Sequence, residues 1–206
     1  MGEDYKAISK DLRKRLKEKI PGAEFNQIRD ELRAIATGGY EYAECSFNES
    51  MVFQDFINSL VMEEAKISLN KKVTTQEEKK TLKGFMEGVK NKTRIFLIAE
   101  CDNKIVGITS IELGKWRKNH VGTLGIMIKQ GYRGIGLGKY LMKEILKLSK
   151  RALKPKPKII SLSVYPGNKP AINLYRKTGF KEVARIPKQI QYKGKLLEEV
   201  IMLLYL

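Results

Sequence analysis

The chain has little cysteine, little histidine and no long apolar run. Its two cysteines, Cys45 and Cys101, and its one histidine, His120, stand far apart in sequence. That excludes a recognisable Cys/His zinc framework and gives no disulfide scaffold, so no metal site is expected. Cys101, at the end of an apolar stretch, reads as a small packing residue. A membrane span needs about 18 or more consecutive apolar residues, and none occurs. The opening MGEDYKAISK is charged rather than signal-like, which reads as cytoplasmic. Acidic residues are scarce in one half only. Residues 1–93 hold 17 Lys/Arg and 16 Asp/Glu; residues 94–206 hold 23 and 7, a net +16 of the chain's +17. Such asymmetry marks either an anionic partner or a lysine-rich solvated surface on a basic protein.

With 206 residues, 42% hydrophobic and 31% charged, the composition is that of one globular domain with its own core. Residues 1–93 read as helical. Lys6–Ile20 places Ile8, Leu12, Leu16 and Ile20 at intervals of four, and Pro21-Gly22 ends the pattern. Phe25–Ala36 carries Ile28, Leu32 and Ile35 on one face. Tyr40–Asn48 reads as a loop or short strand. Two further helices are expected over Glu49–Leu69 and Thr75–Lys90, the second opened by a Thr74/Thr75 cap with Glu77 and Glu78 in its first turn.

From Arg94 the period changes to two. Ile95–Cys101 and Lys104–Leu113 flank Asp102-Asn103, a good hairpin turn. A basic loop, Gly114–Asn119, carries Trp116, which suits either stacking on a ligand or packing. A strand over His120–Lys129, a helix over Gly138–Ala152 stopped by Pro155 and Pro157, and a buried strand over Ile159–Val164 follow. Asn168 is a good N-cap for the next helix, and Gly179 a C-cap. Val183–Tyr192 and Leu196–Leu206 form a closing hairpin around Lys193-Gly194. This order gives an α/β fold with one mixed sheet.

The densest signal is Gly125–Ser149, GIMIKQGYRGIGLGKYLMKEILKLS, an apolar strand running through a glycine-rich basic turn into an amphipathic helix. Gly131, Gly134, Gly136 and Gly138 let backbone N–H groups converge where the helix N-terminus points, a ready phosphate cradle. Spacing excludes two common loops. G-x-G-x-x-G fails because Lys139 or Leu141 takes the third glycine position. G-x-x-x-x-G-K-[ST] would need glycine at Arg133 and Ser or Thr at Tyr140.

Arg133-x-x-Gly136-x-Gly138 after Leu124–Ile128 resembles the pyrophosphate loop of the GCN5-related N-acetyltransferase (GNAT) superfamily. Downstream, VYPGNKPAINLYRKTGF resembles the family's second segment at Asn168, Ala171, Leu174, Tyr175, Gly179 and Phe180. The resemblance covers about residues 94–206. It implies a single mixed, mostly antiparallel sheet flanked by helices, within one domain over 1–206. The helices of 49–92 would then be an insertion in the helical N-terminal region, bordering the acceptor site as a substrate lid, a packing element or a dimer contact. The core of 94–206 would carry cofactor binding and catalysis. Relatives begin with a strand, for which Tyr5–Ile8 is a weak match.

The resemblance further implies acetyl transfer from acetyl-coenzyme A to a primary amine of a small molecule or a protein N-terminus. The backbone of Arg133, Gly134, Ile135, Gly136, Leu137 and Gly138 would hold the pyrophosphate, with Lys139 adding charge. In relatives the preceding strand splays from its neighbour and offers backbone groups to the pantetheine arm and thioester; by position these are Ile126, Met127 and Ile128. An oxyanion donor there would supply a large catalytic term. Tyr175 matches the tyrosine that protonates the departing thiolate, and a phenol of pKa about 10 suits that role; a structural hydrogen bond is its other reading. Asn168 would contact cofactor, cap its helix, or both.

A base is the departure from pattern. Val121–Leu124 has no carboxylate, so Glu112 is the candidate, directly or through water. His120 has a suitable pKa range but sits at a strand start, and an amine of low pKa needs no base. The cofactor's phosphates account for part of the positive charge; the rest suits an acidic substrate, nucleic acid or ribosomes. Relatives commonly form homodimers. A non-catalytic acyl-coenzyme A-binding regulatory or nucleic-acid-associated module is the alternative function.

Overall fold

The computed structural model describes residues 34–35, 47–101 and 104–206. The described elements are β1 (Ala34–Ile35), α1 (Phe47–Met62), α2 (Thr75–Lys90), β2 (Arg94–Cys101), β3 (Lys104–Leu113), β4 (Val121–Ile128), α3 (Leu137–Ala152), β5 (Ile159–Val164), α4 (Lys169–Lys177), β6 (Lys181–Tyr192) and β7 (Lys195–Tyr205). A 3-10 turn, Trp116–Lys118, joins β3 to β4. The strands make one sheet in the order β1-β2-β3-β4-β5-β7-β6. Every neighbouring pair is antiparallel except β4 and β5. The mixed, mostly antiparallel sheet expected from the sequence is therefore present.

The alternation of side chains assigns the helices to faces. Ile95, Leu97, Ala99 and Cys101 of β2 join Leu141, Met142 and Ile145 of α3 in the larger core. Phe96 and Ile98 point the other way, against Phe56, Ile57 and Leu60 of α1 and Val89 of α2. A strand covered on both faces must be apolar at successive positions, which is why Ile95–Ala99 reads as an unbroken run. Each large aliphatic so buried contributes about 2 kcal/mol. The Thr74 cap is confirmed as a reciprocal box: its side chain accepts from the Glu77 N–H, and Glu77 accepts from the Thr74 N–H at 2.8 Å.

Two expectations are corrected. Ala34 and Ile35 do not extend a helix over Phe25–Ala36; they form β1, paired with Leu97 and Phe96. Backbone pairing to a central strand outweighs a three-to-four spacing of apolar residues there. The rest of that helix, the Lys6–Ile20 helix, the Tyr5–Ile8 strand and the Asp102-Asn103 turn lie outside the described residues. The helix expected to reach Leu69 ends at Met62. Glu64 takes φ +49, and the Ala65 N–H donates back to the Leu60 carbonyl while the Glu64 N–H donates to Val61. That is a Schellman end with glutamate where glycine is usual. Both helices of this region pack on the sheet over β2 and β3.

Candidate active site

The sheet opens between β4 and β5. Pairing joins Val121, Gly122 and Thr123 to Ile159, Ile160 and Ser161 and then stops. Beyond it β5 pairs only with β7, through Leu162, Ser163 and Val164. Gly114 donates to the Val121 carbonyl and Lys129 donates to the Val106 carbonyl. In an antiparallel ladder this fixes the odd-numbered residues of β4 as those bonding β3. Leu124, Ile126 and Ile128 thus turn their backbone N–H and C=O groups toward the opening. Met127 turns its own toward Ile108, so of the three strand residues expected at the cofactor, Ile126 and Ile128 are oriented for it.

The glycine turn follows at the open end of β4. Gly131, Gly134 and Gly136 have φ of +89, +74 and +101, values that side chains with a Cβ rarely adopt. Gly136 is the N-cap of α3 and supplies no side-chain cap, so the first N–H groups of Leu137, Gly138 and Lys139 present a positive helix end. At Gly138 a Cβ would lie 3.0 Å from Leu174 and 3.3 Å from Ile128, which sets how closely α3 approaches β4 and α4. Ile135 and Leu137 are buried and anchor the turn, while Lys139 is exposed.

Arg133 is not simply a free cation in this turn. Its Nε donates to the Ile128 carbonyl at 2.6 Å and its terminal nitrogen to Glu63 at 2.7 Å. The Glu63 carboxylate also accepts from the Gln130 N–H at 3.1 Å. Sequence reading missed Glu63 because it expected uninterrupted helix there. The same turn after α1 reaches across the opening. Lys66 donates to the Gly167 carbonyl, Tyr165 to the Ile67 carbonyl, and Tyr192 to the Glu64 carbonyl. Lys193 is ion-paired with Glu64.

Tyr175 lies on the α3/α4 side, 6% exposed, with its ring against Phe180. Burial pushes its phenol up to about 12, correcting the ordinary value expected from sequence. Its hydroxyl has no hydrogen-bond partner among the described residues, which is unusual for a buried polar group. Asn168 caps α4, its Oδ1 accepting from the Ala171 N–H at 3.4 Å.

Glu112 lies on the other face. It is opposite Thr123 in the ladder and ion-paired with Arg94, whose guanidinium sits 4.0 Å from the Phe85 ring centre. Its side chain is half exposed. Beside it Thr123, Gly125 and Ser163 are exposed, a floor of small residues next to the opening. His120 sits at the opposite end of β4 from the glycine turn. Tyr175 and Glu112 therefore lie on opposite faces of the sheet.

Residues 58–180 match the Acetyltransferase (GNAT) family. This chain belongs to that family. Over 109 residues it is 32% identical to the N-alpha-acetyltransferase of Sulfurisphaera tokodaii, covering 48% of this chain and 64% of that one; the match thus spans less than two thirds of that relative. An acetyltransferase of the GNAT family from Streptococcus pneumoniae has the same fold, with a TM-score of 0.69 at 24% identity over 80% of this chain and 98% of that chain. A Salmonella typhimurium structure solved with its cofactor acetyl-CoA superposes with a TM-score of 0.64 at 19% identity, covering 80% and 91%.

Among the described residues no cluster of His, Cys, Asp and Glu could hold a metal, and no helix is long and apolar enough to cross a membrane. The arrangement fits acetyl-CoA by the observations above: an uncapped helix end beyond a left-handed glycine turn, a gap where β4 leaves β5, and a buried phenol lacking a partner among the described residues.

Proposed function

We propose that this protein transfers an acetyl group from acetyl-CoA to a primary amine, with a peptide or protein N-terminus as the favoured acceptor. The observation that carries the reading is the opening between β4 and β5, with the partnerless Tyr175 hydroxyl buried on one side and a small-residue floor on the other. Bound acetyl-CoA supplies the acetyl thioester. The N–H groups of Leu137, Gly138 and Lys139, with the turn from Arg133 to Gly136, hold the pyrophosphate. Ile126 and Ile128 would pair with the amide arm as a missing strand would, and a backbone N–H there would stabilise the developing oxyanion.

Tyr175 gives its proton to sulfur as the carbon–sulfur bond breaks. A phenol near 12 is a weak acid, but the same dry surroundings raise the basicity of the departing thiolate, so the two stay matched. Glu112 accepts the proton lost by the attacking amine, from the acceptor face. Arg94 fixes its position. The likeness to an N-alpha-acetyltransferase supports an N-terminal α-amine as acceptor.

The test is free-thiol release from acetyl-CoA against polyamines, amino acids, aminoglycosides and short peptides with varied N-termini. Turnover confined to peptides with free α-amines is the expected result. Turnover with polyamines alone would overturn the acceptor class. Cofactor binding without turnover on any amine would favour the non-catalytic alternative.

A further inference from the structure

Trp116 is 87% exposed, the most exposed large apolar side chain among the described residues. Its backbone has φ +50, a conformation disfavoured for any side chain with a Cβ. Gly114 makes the turn possible, since a Cβ there would lie 2.6 Å from the Lys118 carbonyl oxygen. The turn thus holds an indole out in water, flanked by the exposed Lys115, Arg117 and Lys118. Packing explains none of this.

The approach to β5 lies alongside. The Lys158 N–H donates to the His120 carbonyl, and the Leu206 N–H to the Lys158 carbonyl. Between these segments is an open groove of ≈ 650 Å³ lined by Asn119, His120, Pro155, Lys156, Lys158 and Tyr205. Tyr205 is itself 67% exposed. From residue 113 to residue 181 the sequence has 17 Lys/Arg and a single acid, Glu144. Lys150 and Arg151 complement the C-terminus of α3. Lys156 and Lys158 cap no helix, and Lys115, Arg117 and Lys118 frame only the short turn that carries Trp116. This end of the sheet is separated from the glycine turn by the length of β4, about 25 Å, so the cofactor's phosphates do not account for it.

We infer that this surface binds single-stranded nucleic acid. Trp116 and Tyr205 offer faces for bases to stack on, and Lys115, Arg117, Lys118, Lys156 and Lys158 follow the phosphates, the combination that single-strand binding requires. A duplex hides its base faces and would leave the indole unused. A membrane-inserting surface needs several adjoining apolar side chains, whereas the groove beside Tyr205 sets only Pro155 and Ile159 among Asn119, His120, Lys156 and Lys158. The inference is independent of the acetyl-transfer reading.

The test is fluorescence anisotropy of the full chain with a labelled oligouridylate of about 20 nucleotides, a length that spans several single-strand sites. A duplex RNA of the same length and phosphatidylserine-containing vesicles serve as comparators. With about five phosphate contacts, affinity for the single strand is expected to fall on the order of a hundredfold between about 50 and 200 mM salt. Trp116→Ala should weaken binding about tenfold while leaving the salt slope unchanged. The pair K156E/K158E should weaken it further and lower the slope by about 1.4. The pair K79E/K83E, on the remote outer side of α2, should bind like the parent. The thermal shift with acetyl-CoA should be the same in all variants, which checks their folding. Absence of binding at low salt, a preference for duplex, or affinity untouched by Trp116→Ala and K156E/K158E would overturn the inference. Vesicle capture in place of RNA binding would overturn it as well.

Discussion

The two faces of the sheet at the β4–β5 opening differ in nearly every physical respect. On the α3/α4 face Tyr175 is buried, its phenol is pushed up to about 12, and its hydroxyl has no partner among the described residues. On the other face Glu112 is half exposed and already paired with Arg94, above a floor of Thr123, Gly125 and Ser163. A proton donor for a thiolate has to keep its proton in a dry site. A proton acceptor for an incoming amine has to remain ionised and reachable from water. In the proposed assignment the fold separates these demands by placing one group on each side of a single sheet, with the strand backbone between them.

The largest expected effect comes from removing the dry side's proton. Tyr175→Phe should lower kcat by about a hundredfold or more, the usual worth of a positioned acid, while acetyl-CoA affinity stays within about twofold. Steady-state kinetics beside a direct titration of the cofactor separates the two. Because the phenol is held near 12, the pH–rate profile of the parent should show no falling limb from Tyr175 up to about pH 10, the ordinary phenol value. Glu112→Gln should cost less, about tenfold in kcat, because water replaces an exposed carboxylate more readily than a buried acid. If Glu112→Gln proved the more damaging of the two, the assignment of roles to faces would be reversed.

Smaller effects sharpen the supports. Glu63→Ala should raise the KM for acetyl-CoA by about tenfold, since charge-assisted bonds to Gln130 and Arg133 are worth about 1.5 kcal/mol and the turn they hold is the proposed pyrophosphate site. Glu63→Gln should recover part of that through the Gln130 N–H, with kcat unchanged in both. Glu78 is 5% exposed, and burial raises its carboxyl above 4.5 despite its place in the first turn of α2. A raised carboxyl favours the folded state while protonated and disfavours it once ionised. Stability should therefore fall as pH rises through the carboxylate range, and Glu78→Gln should be more stable than the parent at pH 7 and little different near pH 3. Urea unfolding at the two pH values reads this directly. Lys92, at φ +58 where α2 ends, should give about 0.5 kcal/mol on replacement by glycine.

What the sequence disclosed was what neighbouring residues decide among themselves. The Thr74 box, the strands Lys104–Leu113 and Ile159–Val164, and the glycine turn were all legible because each rests on local spacing. The failures share a different cause. Ala34 and Ile35 look helical by period, and only pairing with Leu97 and Phe96 makes them a strand. The helix end at Glu64 carries no glycine; contacts from Tyr192 and Lys193, about 130 residues away, hold it. Glu63 was invisible as a support of the glycine turn for the same reason. Tyr175 and Glu112, the proposed acid and base, were named from residue type and position alone. The burial that raises one and the Arg94 partner that holds the other belong to the folded sheet.

The measurement that bears most directly on the opening is residue-resolved amide hydrogen exchange along β4, with and without coenzyme A. If the cofactor takes the place of the missing strand, protection should rise at Ile126 and Ile128, whose amides face the gap. Gly125 and Met127, already bonded toward β3, should change little. Equal protection at all four, or none at any, would contradict the placement of the cofactor between β4 and β5.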